Sequence, residues 1–290
     1  ANSFFRENQY RKAITEYEAT LKFNPEMTQA FRFLGESYKQ LYKPGVDTPL
    51  NKELEAKALD ALTKAHEFEP NNKDIIYSLG DMYDKLRDFD EAEKLYQRII
   101  ELEPEDMSNY YVVAEFYKRY SAEDPAIAKK AESMYLRRIE TDPDNPQGYA
   151  YMAQYLQEIA GEPEALLKSY EKAADFWQRR ISLQPDSAEA WLALGVNQWS
   201  RSYRFQFLSK EDRLKLAKEA LQSISKAIEI DPQYPEPYAW MGPLYQAVLA
   251  KLEPEMEARH NAEGARYLER FQELRKRALE RKKLEDELKK

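Results

Sequence analysis

The 290-residue sequence contains no cysteine. That excludes a disulfide frame, thiol catalysis and any cysteinyl metal site, and it leaves the redox compartment open. Histidine is nearly as scarce: His66 and His260 stand alone, neither within an HExxH pattern. Glycine occurs only eight times, and no GxxxxGK[ST] or GxGxxG run offers a phosphate cradle. Neither G-x-S-x-G nor a D-x-D-x-D-G calcium loop occurs. No apolar run reaches the roughly 18 residues that a bilayer span needs. Neither sign of charge dominates strongly. With 44 basic and 52 acidic residues the formal net charge is −8, which makes nucleic acid a poor partner. Carboxylates are so plentiful that no acid/base pair stands out. These absences point away from an enzyme, a metal or other cofactor, and a membrane span. The chain starts at Ala1 without Met, which leaves two expectations for a soluble protein: leader removal with a secreted or periplasmic location, or a cytoplasmic protein whose start is missing.

What is present is repetition. A chain this long exceeds a typical single core unless it grows by stacking similar units. Six prolines, Pro25, Pro70, Pro104, Pro143, Pro185 and Pro232, each follow an alanine by twelve residues: Ala13, Ala58, Ala92, Ala131, Ala173 and Ala220. Beyond each proline comes a second signature. It reads Phe31-x-x-Leu34-Gly35-x-x-Tyr38, Ile76-x-x-Leu79-Gly80-x-x-Tyr83 and Tyr110-x-x-Val113-Ala114-x-x-Tyr117. It continues as Tyr149-x-x-Met152-Ala153-x-x-Leu156, Trp191-x-x-Leu194-Gly195 and Tyr238-x-x-Met241-Gly242-x-x-Tyr245. The apolar spacing is helical rather than alternating. Small residues fall where two helices must approach closely, and large ones such as Tyr83 and Tyr96 fill the gaps.

The pattern resembles the tetratricopeptide repeat (TPR) family, with residues 73–106 forming a full copy without insertion. The resemblance implies an all-α fold, a right-handed TPR superhelix (α-solenoid) of about six and a half helix pairs with elongated helices and a C-terminal capping helix. The array is expected over 1–253. A partial first repeat occupies 1–27, and repeats follow at 28–72, 73–106, 107–145, 146–187 and 188–234. The first helix of a last pair is expected at 235–253, and a charged capping or assembly helix at 254–290. Closing prolines stand 45, 34, 39, 42 and 47 residues apart, so the pairs carry insertions of 11, 0, 5, 8 and 13 residues between their helices. Thr48-Pro49, Asp124-Pro125 and Glu162-Pro163 read as starts of second helices, where the missing proline N–H costs nothing. Ser209-x-x-Asp212 resembles a capping box. Residues 42–49, YKPGVDTP, read as a flexible loop.

TPR proteins commonly bind partners on the concave face lined by the first helix of each pair. Carried onto this chain, that resemblance gives a partner-binding groove of Arg32, Tyr77, Asp81, Tyr111, Glu115, Tyr151, Gln154, Trp199 and Trp240. Glu36 and Lys39 fall on the same helix face. Phe33, Asp74 and Ser78 stand where the family's clamp for a terminal carboxylate would need amide or basic side chains, so that clamp is not expected. An aromatic track runs in its place, of a type common in protein contacts. Inter-helix packing is the competing role for the same rings. Two partners are open: a foreign protein or peptide bound by a non-catalytic scaffold, or further copies of the chain. In the second case Phe4, Phe5, Tyr10 and Ile14 at one end and Tyr267, Phe271 and Leu274 at the other would mediate self-assembly. Head-to-tail stacking of that kind gives a homo-oligomeric ring, tube or filament. The basic run Arg275-Lys276-Arg277 and Arg281-Lys282-Lys283 is interleaved with acids and reads as a solvated helix face.

Overall fold

Caps and prolines start the helices where the sequence places them. Asn72 accepts from the backbone N–H groups of Asp74 and Ile75, Asp88 from Glu91, and Asp124 from Ala126. Pro49, Pro125 and Pro163 each occupy the first turn of a helix. The computed structural model describes residues 1–288, and it is all-α, with no strand among the described residues.

The chain divides into two compact units. Unit 1, Ala1–Tyr120, contains α1 (Asn2–Arg6), α2 (Tyr10–Phe23), α3 (Thr28–Leu41), α4 (Pro49–Phe68), α5 (Lys73–Leu86), α6 (Phe89–Leu102) and α7 (Met107–Tyr120). Unit 2 starts at Ser121 and contains α8 (Pro125–Thr141), α9 (Pro146–Glu158), α10 (Pro163–Leu183), α11 (Ala188–Arg204), α12 (Lys210–Ile230) and α13 (Glu236–Pro243). A π-helical turn, Leu244–Leu249, follows α13 and leads into α14 (Ala250–Leu252). A 3₁₀ turn at Pro254–Met256 then precedes α15 (Glu257–Leu288). Pro243 supplies no backbone N–H, and the helix widens just after it.

Packing explains the sequence register. All six register alanines are 0% exposed. Four residues after such an alanine, the second helix meets the glycine of the first. A Cβ added to Gly35 would stand 2.5 Å from Leu62 Cγ, and one added to Gly195 would stand 2.5 Å from Ile224 Cγ1. No side chain fits there. The same geometry recurs between α13 and α15, where a Cβ on Gly242 would lie 2.5 Å from Leu268 Cγ. Gly264, four residues before Leu268, thus takes the role that alanine plays elsewhere. The N-terminal half of α15 is the second helix of the last pair, so the boundary expected at 253/254 falls inside that pair.

The insertions are ordered by side chains. Repeats without one turn tightly through a left-handed residue five positions before the register alanine: Asn8 at φ 59° and Arg87 at φ 64°. In the 28–72 pair, the segment read as a flexible loop is stapled by Asn51, which is 6% exposed. Its side chain accepts from Lys43 N at 2.9 Å and donates to the carbonyls of Lys43 and Val46, each at 2.9 Å. In the 188–234 pair, Ser202 donates to the Arg213 carbonyl at 2.8 Å, and Arg213 Nε donates back to the Ser202 carbonyl at 2.9 Å. Ser209 caps α12 through the Asp212 N–H at 3.0 Å. The short Asp212 side chain accepts from the Ser209 hydroxyl at 2.7 Å, where a capping-box glutamate would reach the backbone.

Candidate functional site

Helices α3, α5 and α7 are the first helices of successive pairs in unit 1, and one face of each lines a cavity of about 510 Å³. Helix α3 brings Arg32, Glu36 and Lys39, helix α5 brings Asp74, Tyr77 and Asp81, and helix α7 brings Tyr111, Glu115 and Arg119. Tyr96 of α6 also lines it. Five residues expected in the groove, Arg32, Tyr77, Asp81, Tyr111 and Glu115, therefore meet at one site.

Charge is tightly organised here. Lys39 Nζ lies 2.9 Å from Glu36 Oε1 and 2.8 Å from Asp81 Oδ2, and it donates to the Ser78 carbonyl at 3.4 Å. An ammonium has three donors, and all are used. Arg32 Nη1 donates to Asp74 Oδ2 at 2.8 Å. Arg119 pairs with Asp84, whose other oxygen accepts from the Tyr120 hydroxyl at 2.8 Å. The Tyr77 hydroxyl donates to Asn109 Oδ1 at 3.0 Å, which fixes its ring. Burial raises the Tyr77 and Tyr96 phenols, and burial with the Asp84 bond pushes Tyr120 up to about 12. All three remain neutral donors at physiological pH. At the start of α7, bonds from Ser108 and Lys73 bring the Asp106 carboxyl down to about 2. Its contribution to stability is present above the ordinary value of 3.8 and is lost as pH falls through about 2.

The other four groove residues lie in unit 2. Tyr151 and Gln154 stand on α9, with the Arg138 guanidinium 4.6 Å from the centre of the Tyr151 ring and Gln154 exposed. Trp199 stacks on Tyr203 at 5.1 Å and meets Trp240 edge-on at 5.0 Å. A buried polar network also crosses this unit. Gln157 Oε1 accepts from Trp177 Nε1 at 3.2 Å and from Asn197 Nδ2 at 2.6 Å. The groove aromatics are thus half-buried and shared between packing and surface.

The expected assembly residues are also partly spent on internal packing. Phe5 meets Tyr10 at 5.6 Å and Phe33 at 5.2 Å, while Phe4 and Ile14 pack against the core around Ala13 and Tyr17. Tyr267 stacks on Tyr245 at 5.7 Å, and Leu274 is 3% exposed. Phe271 differs: with Leu268 and Leu279 it lines an open groove of about 610 Å³ along α15.

Comparison with known proteins agrees with this architecture. Residues 1–41 and 55–114 each match a tetratricopeptide repeat model. The chain carries tetratricopeptide repeats. The C-terminal part of a TPR repeat-containing protein from Cytophaga hutchinsonii has the same fold, with TM-score 0.63, 11% identity and 92% of each chain covered. A tetratricopeptide repeat protein from Parabacteroides merdae matches with TM-score 0.49 and 15% identity over 94% of this chain and 93% of its own. YrrB, described as a TPR protein with an unusual peptide-binding site, matches with TM-score 0.41 and 18% identity over 74% of this chain and 92% of its own. No curated protein matches the chain.

Two site features of the repeats were not in the residue pattern. The burial of Lys39 between two carboxylates depends on α3 and α5 being adjacent. Arg119 lies two turns beyond Tyr111 on α7, a spacing visible in sequence, yet its partner Asp84 comes from another helix. Among the described residues no helix is long and apolar enough to cross a membrane.

Proposed function

We propose that the protein is a non-catalytic interaction scaffold, and that the first-helix face of unit 1 holds an extended peptide or loop of a partner protein. The observation that carries this reading is the 510 Å³ cavity, where three successive first helices contribute aromatic and charged side chains to one opening. Tyrosine supplies large contact area at small entropic cost, and tyrosines clustered with charged groups suit protein contacts. The test is selection of peptides from a phage-displayed random library against the purified chain. Tyr111→Ala is expected to weaken the selected peptides by more than ~1 kcal/mol without changing the helical signal. Selected peptides that bind the variant as well as the parent would remove this face from the proposal.

A second reading, self-association, is favoured by one observation. Leu279 and Leu284 on α15 are 55% and 60% exposed, and Leu279 continues the groove lined by Phe271. Removing residues 254–290 would also strip α13 of its partner helix, so point changes are the cleaner probe. Under this reading, light scattering on the parent shows a mass that rises with concentration, and Leu279→Glu with Leu284→Glu returns it to the monomer. A parent that stays monomeric at high concentration excludes this route.

A further inference from the structure

Resting on the reading that the unit 1 cavity receives a peptide, we infer that the side chain it selects is cationic, a lysine or an arginine. At two of the three ion pairs on the cavity wall the cation is recessed and the carboxylate faces outward; Arg119, 51% exposed over an 11% exposed Asp84, is the reverse. The Lys39 side chain is 4% exposed, whereas that of its partner Asp81 is 43% exposed. Arg32 is 20% exposed and its partner Asp74 61%. Along the α3 and α5 walls a ligand arriving from solvent therefore meets the carboxylate oxygens of Asp74 and Asp81 first.

The balance of charge points the same way. Among the lining residues, three cations face four carboxylates, because Glu36 and Asp81 share the single ammonium of Lys39. A carboxylate has room for about four hydrogen bonds, so Asp74 and Asp81 can each accept from a ligand while keeping their internal partner. Lys39 cannot do the converse, since its three donors are spent. The tyrosines complete the site. Tyr77, held by its bond to Asn109, and Tyr111 line the same opening, and tyrosine rings attract a guanidinium or ammonium through the ring quadrupole. An acidic ligand would find carboxylates at the rim and one well-exposed cation, Arg119, already paired with Asp84.

The experiment uses four pools of fluorescent decapeptides with randomised flanks and a central Arg, Lys, Gln or Glu. Anisotropy titrations against the full chain are run at low and high salt. The Arg and Lys pools are expected to bind about tenfold more tightly than the Glu pool, with a gap that narrows as salt screens the rim. Asp74→Asn with Asp81→Asn should bring the cationic pools to the level of the Gln pool. Asp74→Lys, at a position 61% exposed, should reverse the order. Equal binding of all pools that Tyr111→Ala still abolishes would keep the peptide groove and overturn the cationic preference. A preference that survives both aspartate changes would overturn it too, by assigning the effect to the acidic chain at large. No binding by any pool would remove the peptide reading along with it.

Discussion

Phe116→Ala is expected to lower the stability of unit 1 by about 3–5 kcal/mol, the range for removing a large ring from a packed interior. Phe116 is 0% exposed, and four rings surround it: Phe89 at 5.1 Å, Tyr96 at 4.9 Å, and Tyr117 and Tyr120 at 5.4 Å each. Residues from α6 and α7 meet on this one side chain, so its loss leaves a void between two helices that belong to different pairs. Each repeat contributes to stability mainly through its own packing and its nearest interfaces, and this interface is one of them. Urea denaturation followed by circular dichroism and tyrosine fluorescence measures the effect. Phe23→Ala, at a phenylalanine 92% exposed, is the control and should change stability by less than ~0.5 kcal/mol. Equal effects at the two positions would show that the aromatic cluster does not hold the unit together. Tyr96 also lines the cavity, so under the proposed peptide reading Phe116→Ala should weaken binding even at temperatures where the helices persist.

The prominence of Phe116 was hidden in a sequence whose register was otherwise easy to read. Alanine twelve residues before proline marked the point of closest helix approach, and the glycines of the first helices marked the facing surface. Those positions were legible because geometry leaves one class of residue that fits. The last pair escaped because its marker changed. Gly264 replaces alanine, and position 276, where the proline would stand, is Lys276, so α15 runs on. Phe116 gave no signal because α7 is apolar or aromatic on much of its circumference, and periodicity alone cannot rank its rings. The same limit applied to the groove. First-helix spacing brought Arg32, Tyr77, Asp81, Tyr111 and Glu115 to one cavity, since repeats translate equivalent positions along a face. Which charges would be buried beneath it depended on pairings between helices, and spacing within one helix does not encode those.

Lys39 is where that hidden pairing has its largest consequence. Lys39→Met keeps most of the aliphatic stem and removes only the ammonium. Glu36 and Asp81 then face each other across α3 and α5 with no other basic partner among the described residues. Breaking a buried ion pair by deleting one member typically costs about 3–5 kcal/mol, because the remaining charge stays desolvated. Glu36 carries most of that cost, with a side chain 14% exposed, while Asp81 at 43% recovers hydration and reduces it. A loss of about 3 kcal/mol is therefore expected, read by denaturant titration. Glu36→Gln added to Lys39→Met should restore a large part of it, and Asp81→Asn added instead should restore less. If neither second change recovers stability, the loss comes from the packing of the stem and the ammonium is not what ties α3 to α5. If both recover it, the salt bridge is dispensable for the fold, and what it does is hold one Asp81 oxygen on the recessed Lys39 ammonium while the side chain stays 43% exposed.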